Sequence, residues 1–296
     1  MINLMPLLDK YWKTCVEGND QKRIDSQTPP EDVEVVSDLQ YIDDGKWQHQ
    51  LDVYYPKNAD KPLPIIIDIH GGGWMYGTKK INKYYNMVLA SKGYTVFSIN
   101  YHLVPEKDVG AQLQDCMYAF EWIKQNAGEY YADLGELYVT GDSAGGFLAA
   151  FSTMLNNSES LREIYETVSP ELKIRGLALT CPVCYMDMGK VVGLYTKQIL
   201  GKDYKNKKYK GYVNLNKALK LSSLPPTYLI TCGGDMPAKN ATFKAYEDLQ
   251  DAGVKCKLKY LPDKKLMHVF CITDPFSAVS EDVNCDMLKY LKENKI

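Results

Sequence analysis

One stretch limits what this chain can fold into more than any other: Leu137-Tyr138-Val139-Thr140-Gly141-Asp142-Ser143-Ala144-Gly145-Gly146-Phe147-Leu148-Ala149-Ala150. It opens with a short β-favouring run and closes with small, helix-tolerant residues, and one serine stands between them. Gly141, Ser143 and Gly145 make the spacing G-x-S-x-G, which places a serine on a sharp strand-to-helix turn. Such a turn strains the serine backbone and presses neighbouring segments together, so bulk at either flank would clash. The hydroxyl is lifted clear of the fold. The N–H of Ala144 and the positive end of the following helix point into the same space, where they favour developing negative charge. The motif alone is common by chance, so its meaning depends on companions elsewhere.

The rest of the chain alternates in period. Leu4 to Val16 reads as helical and is followed by a polar, Pro-punctuated segment through Thr28-Pro29-Pro30. Val33 to Ile42 and Gln48 to Tyr55 read as paired strands joined by the Asp-Gly turn Asp43-Asp44-Gly45-Lys46. Ile65-Ile66-Ile67-Asp68-Ile69 is a nearly continuous apolar run suited to a strand covered on both faces. Helical spacing follows at Lys79 to Lys92, and a strand at Tyr94 to Ile99. Asp108 to Asn126 is an amphipathic helix with Leu113, Cys116, Met117, Phe120 and Ile123 three and four apart. Beyond the serine turn and its helix, strands are expected at Ile174 to Thr180, Thr227 to Cys232 and Lys255 to Leu261. Helices are expected at Ala238 to Ala252 and Ser277 to Glu293. Strands alternating with helices require a mostly parallel sheet covered on both faces, here with an antiparallel edge from the opening hairpin. Tyr185 to Leu224 fits that alternation poorly.

Composition narrows the function. The chain has 296 residues, 45% hydrophobic and 24% charged, with a net charge of −2. That length supports a single large domain, and the charge gives no general attraction to nucleic acid or an anionic membrane. The lysine-rich stretch Lys202 to Lys210 can be read as a nucleic-acid patch, but a solvated surface segment is the simpler account. Met1 to Leu8 lacks a basic lead-in and does not read as a secretory signal. No apolar run approaches the ~20 residues needed to cross a bilayer. A cytoplasmic location is expected. Eight cysteines are too sparse for a disulfide scaffold at this length. Cys181-Pro-Val-Cys184 matches C-x-x-C and could be redox-active or half of a metal site. The apolar run before it favours buried, reduced thiols.

A serine hydroxyl needs a base to take its proton, most often histidine, and a carboxylate behind the histidine to fix its tautomer. Four histidines are available. His49 lies in an exposed-looking hairpin pattern, His70 opens a glycine run and more plausibly braces it, and His102 follows a strand as a structural or pocket-lining residue. His268 lies between the last strand and the last helix, at the carboxyl edge that the serine shares, and is the expected base. Asp235, directly after the strand Thr227 to Cys232, is the expected carboxylate. Asp263 is a rival in a turn, and Asp142, beside the serine, should point elsewhere. His70-Gly71-Gly72-Gly73-Trp74 can aim backbone N–H groups at an oxyanion. No G-K-[ST] follows it, so a phosphate loop is not indicated. Gly72, Gly73 and Ala144 are the expected donors.

Taken together, His-Gly-Gly-Gly and Gly-Asp-Ser-Ala-Gly-Gly with Tyr101 to Glu106, Leu224-Pro225-Pro226-Thr227 and His268-Val269-Phe270 resemble the hormone-sensitive-lipase family of α/β-hydrolases. The resemblance implies an α/β-hydrolase fold, with a mostly parallel eight-stranded sheet, helices on both faces and a small helical cap. The cap would come from about residues 1–32 and 185–222 of a single domain spanning 1–296. It implies a serine carboxylesterase for short- to medium-chain acyl esters, needing no metal or cofactor. Ser143 would be the nucleophile, His268 the base and acid, and Asp235 the orienting carboxylate. Met236, Val269 and His102 depart from residues common in such families. Trp74 and Tyr76 could line the substrate pocket or belong to the core, and Asp142 is a further substrate-pocket candidate. The partner expected is a small ester, with neither nucleic acid nor membrane, and the oligomeric state is open, a homodimer included. A small-amide hydrolase of the formamidase kind and a non-catalytic small-molecule-binding module are the alternatives.

Overall fold

The computed structural model describes residues 16–187 and 196–295. Its strands are β1 (Val33–Gln40), β2 (Gln50–Pro56), β3 (Leu63–Ile69), β4 (Thr95–Ile99), β5 (Ala132–Asp142), β6 (Ile174–Thr180), β7 (Thr227–Cys232) and β8 (Cys256–Leu261). They form one sheet in the order β1-β2-β4-β3-β5-β6-β7-β8. β1 with β2 and β2 with β4 are antiparallel, and every later pair is parallel. The fold class is therefore the one expected, an eight-stranded α/β-hydrolase sheet.

The helices are α1 (Glu17–Asp25), α2 (Lys83–Ser91), α3 (Val109–Asn126), α4 (Ser143–Asn157), α5 (Glu159–Tyr165), α6 (Leu215–Ala218), α7 (Lys239–Asp251), α8 (Phe270–Thr273) and α9 (Ala278–Asn294). α3 starts where its cap residue dictates, with the Asp108 carboxylate accepting from Ala111 N at 3.1 Å. β3 explains why a run of isoleucines makes a central strand. Ile65, Ile67 and Ile69 enter the core beneath α3 and α4, while Ile66 enters the one beneath α2 and α9. Alternating side chains thus find apolar cover on both faces.

Three expectations change. The segment after Val16 reads as polar and Pro-punctuated, yet Glu17–Asp25 is helical, with acidic residues in its first turn and basic ones in its last, matching the helix dipole. The expected helix at Leu4 to Val16 lies almost wholly outside the described residues. The hairpin is not closed by a tight Asp-Gly turn: the strands stop at Gln40 and resume at Gln50, with a 3₁₀ turn at Trp47–His49 between. That turn draws His49 inside, where it is 5% exposed, instead of leaving it on the surface. Among the described residues, no helix is long and apolar enough to cross a membrane.

Parallel strands end together, so the sheet gathers chemistry at one edge. His70 follows β3, Ser143 follows β5, Asp235 follows β7 and His268 follows β8.

Candidate active site

Ser143 is the first residue of α4, and its φ is +51°. An L-residue holds that conformation only where the surroundings enforce it. Here they do: a Cβ on Gly145 would lie 2.0 Å from Ile69 O. Only glycine lets the first turn of α4 press against the end of β3. The serine is thereby raised to the floor of a cavity of about 200 Å³.

His268 Nε2 lies 2.9 Å from Ser143 Oγ, and His268 Nδ1 lies 2.8 Å from Asp235 Oδ1. The structure thus brings together the three residues that the sequence set 125 and 33 positions apart. Asp235 is fully buried. Its Oδ2 accepts from Thr231 Oγ1 at 2.7 Å, and its Oδ1 also accepts from Ala238 N at 3.1 Å. Burial raises its pKa, but hydrogen bonds and charge from His268 and the bond from Thr231 outweigh that and hold the carboxyl below its usual range. An ionised Asp235 fixes the proton on Nδ1 and leaves Nε2 to receive the serine proton. His268 keeps 26% of its side chain in solvent, so the line of three opens outward.

The His268 loop is held from both sides. Gly234 and Met267 form a parallel bridge, and Cys232 Sγ bonds to Leu266 O at 3.1 Å. Cys181 Sγ accepts from Val269 N at 3.4 Å. Burial raises the pKa of Cys181 and pushes the Cys184 thiol up to about 12, so both stay protonated and inert. All seven described cysteines are unpaired. Cys181, Asp235 and His268 are near enough to share a metal ion. Each is already committed to hydrogen bonds within the site.

The glycine loop forms the other wall. Gly72 has φ +108°, and a Cβ there would fall 2.0 Å from Tyr76 O, so the tight turn requires glycine. Gly72 and Gly73 line the cavity with Ser143. Ala144, second in α4, has a backbone N–H of the kind a helix start leaves without an intrahelical partner. His70 is fully buried, with its ring stacked on Tyr101 at 4.5 Å and its Nδ1 2.8 Å from Gly71 O. Burial pushes its pKa down to about 4, so it braces the loop as a neutral ring.

The expected pocket residues divide between the cavity and the core. Trp74 is 1% exposed and packs edge-on against Phe147 at 5.8 Å, a core residue and not a pocket wall. Asp142 touches the cavity, but its Oδ1 accepts from Gly71 N at 3.0 Å and from Asn82 Nδ2 at 2.9 Å. It therefore ties the glycine loop to the serine turn. Tyr76 does line the cavity, with its hydroxyl on Asp20 of α1 at 3.0 Å.

Behind Asp142 lies Asp68, which accepts from Asn82, Asn86 and Ser98. Burial and the neighbouring Asp142 push its pKa up to about 7. Sequence reasoning missed Thr231, Asn82 and Asp68 as supports. Only Asp68, a carboxylate inside an isoleucine run, left a signal.

α1 roofs the cavity: Arg23 of this helix donates to Thr273 O at 3.2 Å and to Ile81 O at 2.9 Å. The described part of 196–222 lines a different, larger cleft of about 1150 Å³ between α3 and α5, whose walls exclude Ser143.

Comparisons with known proteins place the chain among esterases of this fold. Residues 51–221 match the family described as BD-FAE. The chain is 28% identical to esterase B of Lactobacillus rhamnosis over 98% of its own length and 94% of that protein's, with a TM-score of 0.90. A second structure of that esterase, inhibited by a C4-C4 tributyrin phosphonate, superposes with a TM-score of 0.91 at 28% identity, covering 98% of this chain and 94% of that one. A tuliposide A-converting enzyme of Tulipa gesneriana is 33% identical over 108 residues, 32% of this chain but only 29% of that enzyme. The chain thus spans less than a third of the length of the curated relatives it matches.

Proposed function

The chain belongs to the BD-FAE family, and from that premise we propose that it is a serine carboxylesterase for short- to medium-chain acyl esters. The observation that carries this reading is the unbroken line Asp235–His268–Ser143 ending at a cavity floor. Ser143 Oγ attacks the ester carbonyl as His268 Nε2 takes its proton. The N–H groups of Gly72, Gly73 and Ala144 receive the oxyanion, and Asp235 stabilises the imidazolium. His268 then returns the proton to the departing alcohol oxygen, leaving Ser143 acylated. Water, deprotonated by the same histidine, releases the acid and restores the serine. No step calls on a metal or cofactor.

A cavity of about 200 Å³ suits a small acyl group. The likeness to an esterase inhibited by a butyryl-type phosphonate supports the same size class. Within one domain, Glu17–Asp25 supplies the part of the expected cap (about 1–32 and 185–222) that lies over the site, while the described residues of 196–222 border the cleft between α3 and α5. The unpaired thiols favour a reducing, cytoplasmic location.

The test is hydrolysis of p-nitrophenyl esters from acetate to laurate by wild type and Ser143→Ala, with fluorophosphonate labelling in parallel. Wild type is expected to prefer the shorter esters and to label once. The Ser143→Ala variant is expected to lose both activity and label. Undiminished turnover in the variant would overturn the nucleophile. A larger rate on small amides than on esters would move the reading to an amidase, and a folded but unlabelled wild type would move it to a binding module.

A further inference from the structure

Asn82 ends the 3₁₀ turn Lys79–Asn82 and stands at the N-cap of α2. Asparagine is favoured there because its side-chain oxygen can take up a free N–H of the first turn. Asn82 makes no such bond. We propose, resting on the esterase reading above, that its carbonyl oxygen instead reads a hydroxyl group on the acyl part of the substrate. The preferred esters are then those of small hydroxy acids.

The neighbours of the amide fix its orientation. Asn82 Nδ2 donates to Asp142 Oδ1 at 2.9 Å and to Asp68 Oδ2 at 3.2 Å, which occupies both of its protons. Asp142 Oδ1 also accepts from Gly71 N, so turning the amide over would set one acceptor against another. Asn82 Oδ1 therefore points away from the two carboxylates. It accepts from no described residue. Asn86 Oδ1, which also lacks a partner, is sealed in the interior, and Asn82 Oδ1 is not. Asn82 as a whole is only 2% exposed, and the space it meets is the cavity above Ser143, which it lines.

The other walls of that cavity leave this acceptor a part to play. Ile81, Val269 and Ile272 are apolar. Arg23, Asp20 and Tyr76 spend their polar groups on one another and on the carbonyls of Ile81 and Thr273. A plain acyl chain that displaces water from the cavity strips Asn82 Oδ1 of its hydration and gives nothing back. A chain carrying a hydroxyl restores the lost hydrogen bond, and a site built around such a bond discriminates against the analogue that lacks it. A hydroxyl is also the smallest such donor, and it keeps the acyl group neutral, as the apolar walls require.

The test compares the ethyl esters of butyric, 2-hydroxybutyric and 3-hydroxybutyric acids by pH-stat, each rate normalised to alkaline hydrolysis of the same ester. The proteins are wild type, Asn82→Ala and the size-matched Asn82→Leu. Wild type is expected to favour one hydroxy ester over butyrate by about 10-fold in kcat/KM. Both variants are expected to be slower on every ester, because Asp142 and through it Gly71 are held less firmly. A purely supporting role would lower all the rates by one factor; the expected result is that the preference itself falls to about 1. A preference unchanged in the variants would overturn the role of Asn82 whatever the absolute rates. Should neither variant fold, wild type decides: hydrolysis of butyrate with no preference for either hydroxy ester would overturn the proposal and leave the esterase reading standing. A preference for 2-hydroxyethyl butyrate over ethyl butyrate in its place would put the hydroxyl on the alcohol side and overturn the acyl assignment. Failure to hydrolyse any ester, with Ser143 unlabelled by fluorophosphonate, would overturn both readings.

Discussion

At Ser143 a histidine bonded to a buried aspartate keeps 26% of its side chain in solvent. Around Asp115, two histidines in contact with a buried aspartate keep only 5% and 6%. The chemical parts are nearly the same. At His268 the second nitrogen meets a serine hydroxyl that can give up a proton, at the floor of an open cavity. At His49 and His102 the second nitrogens meet no donor among the described residues. A histidine–carboxylate pair is thus made reactive by what faces its far nitrogen and by whether substrate can arrive. Where neither condition holds, the same pair becomes an element of structure.

The widest separation is expected from one kind of change made in both places. Asp235→Asn removes the charge that fixes the His268 tautomer. It is expected to lower kcat on p-nitrophenyl butyrate by about 10⁴-fold while the thermal transition moves little. Asp115→Ala, at the sealed site, is expected to do the reverse. It strips the acceptor from His102 Nδ1 and from the His102 backbone N–H. Unfolding free energy measured in urea should fall by about 3–5 kcal/mol, with kcat of the folded fraction close to wild type. Equal damage to rate and stability in either variant would erase the contrast.

A smaller effect tests the scaffold that links the serine turn to the glycine loop. Asp142→Ala leaves Gly71 N without its acceptor, so the loop can drift from the serine. The expected loss is about 10²-fold in kcat with KM nearly unchanged. A loss confined to KM would instead return Asp142 to the substrate pocket. The smallest effect concerns pH. Burial and Asp142 raise the Asp68 pKa from the usual carboxylate range to about 7, so between about pH 4 and 7 the folded protein holds a proton there that the unfolded chain has released. The resulting stability is complete below pH ~4 and is lost as pH rises through about 7. Urea titrations at pH 5 and 8 should show that decline in wild type, reduced in Asp68→Asn. An equal decline in the variant would remove Asp68 as its source.

Much of this was legible in the chain itself. β6 and β7 fall at the expected residues, because apolar strands in a covered parallel sheet are marked by their own composition and by the turns that bound them. The glycine spacing around Ser143 marked the turn, since the packing tolerates no side chain there. The order serine, aspartate, histidine at strand ends marked Asp235 and His268 as companions. Three-dimensional packing decided the rest. His49 looks exposed in a hairpin pattern, and only the 3₁₀ turn beneath it shows that it faces Asp115. Trp74 beside a glycine loop reads as pocket or core with equal ease, and Phe147, 73 residues later, settles it. Asn82 and Thr231 support the site through bonds that no local pattern announces. Local sequence carries period, turn chemistry and chain order, because those depend on near neighbours. Burial, tautomer and the partner of a polar atom depend on which distant segments the sheet brings to its edge.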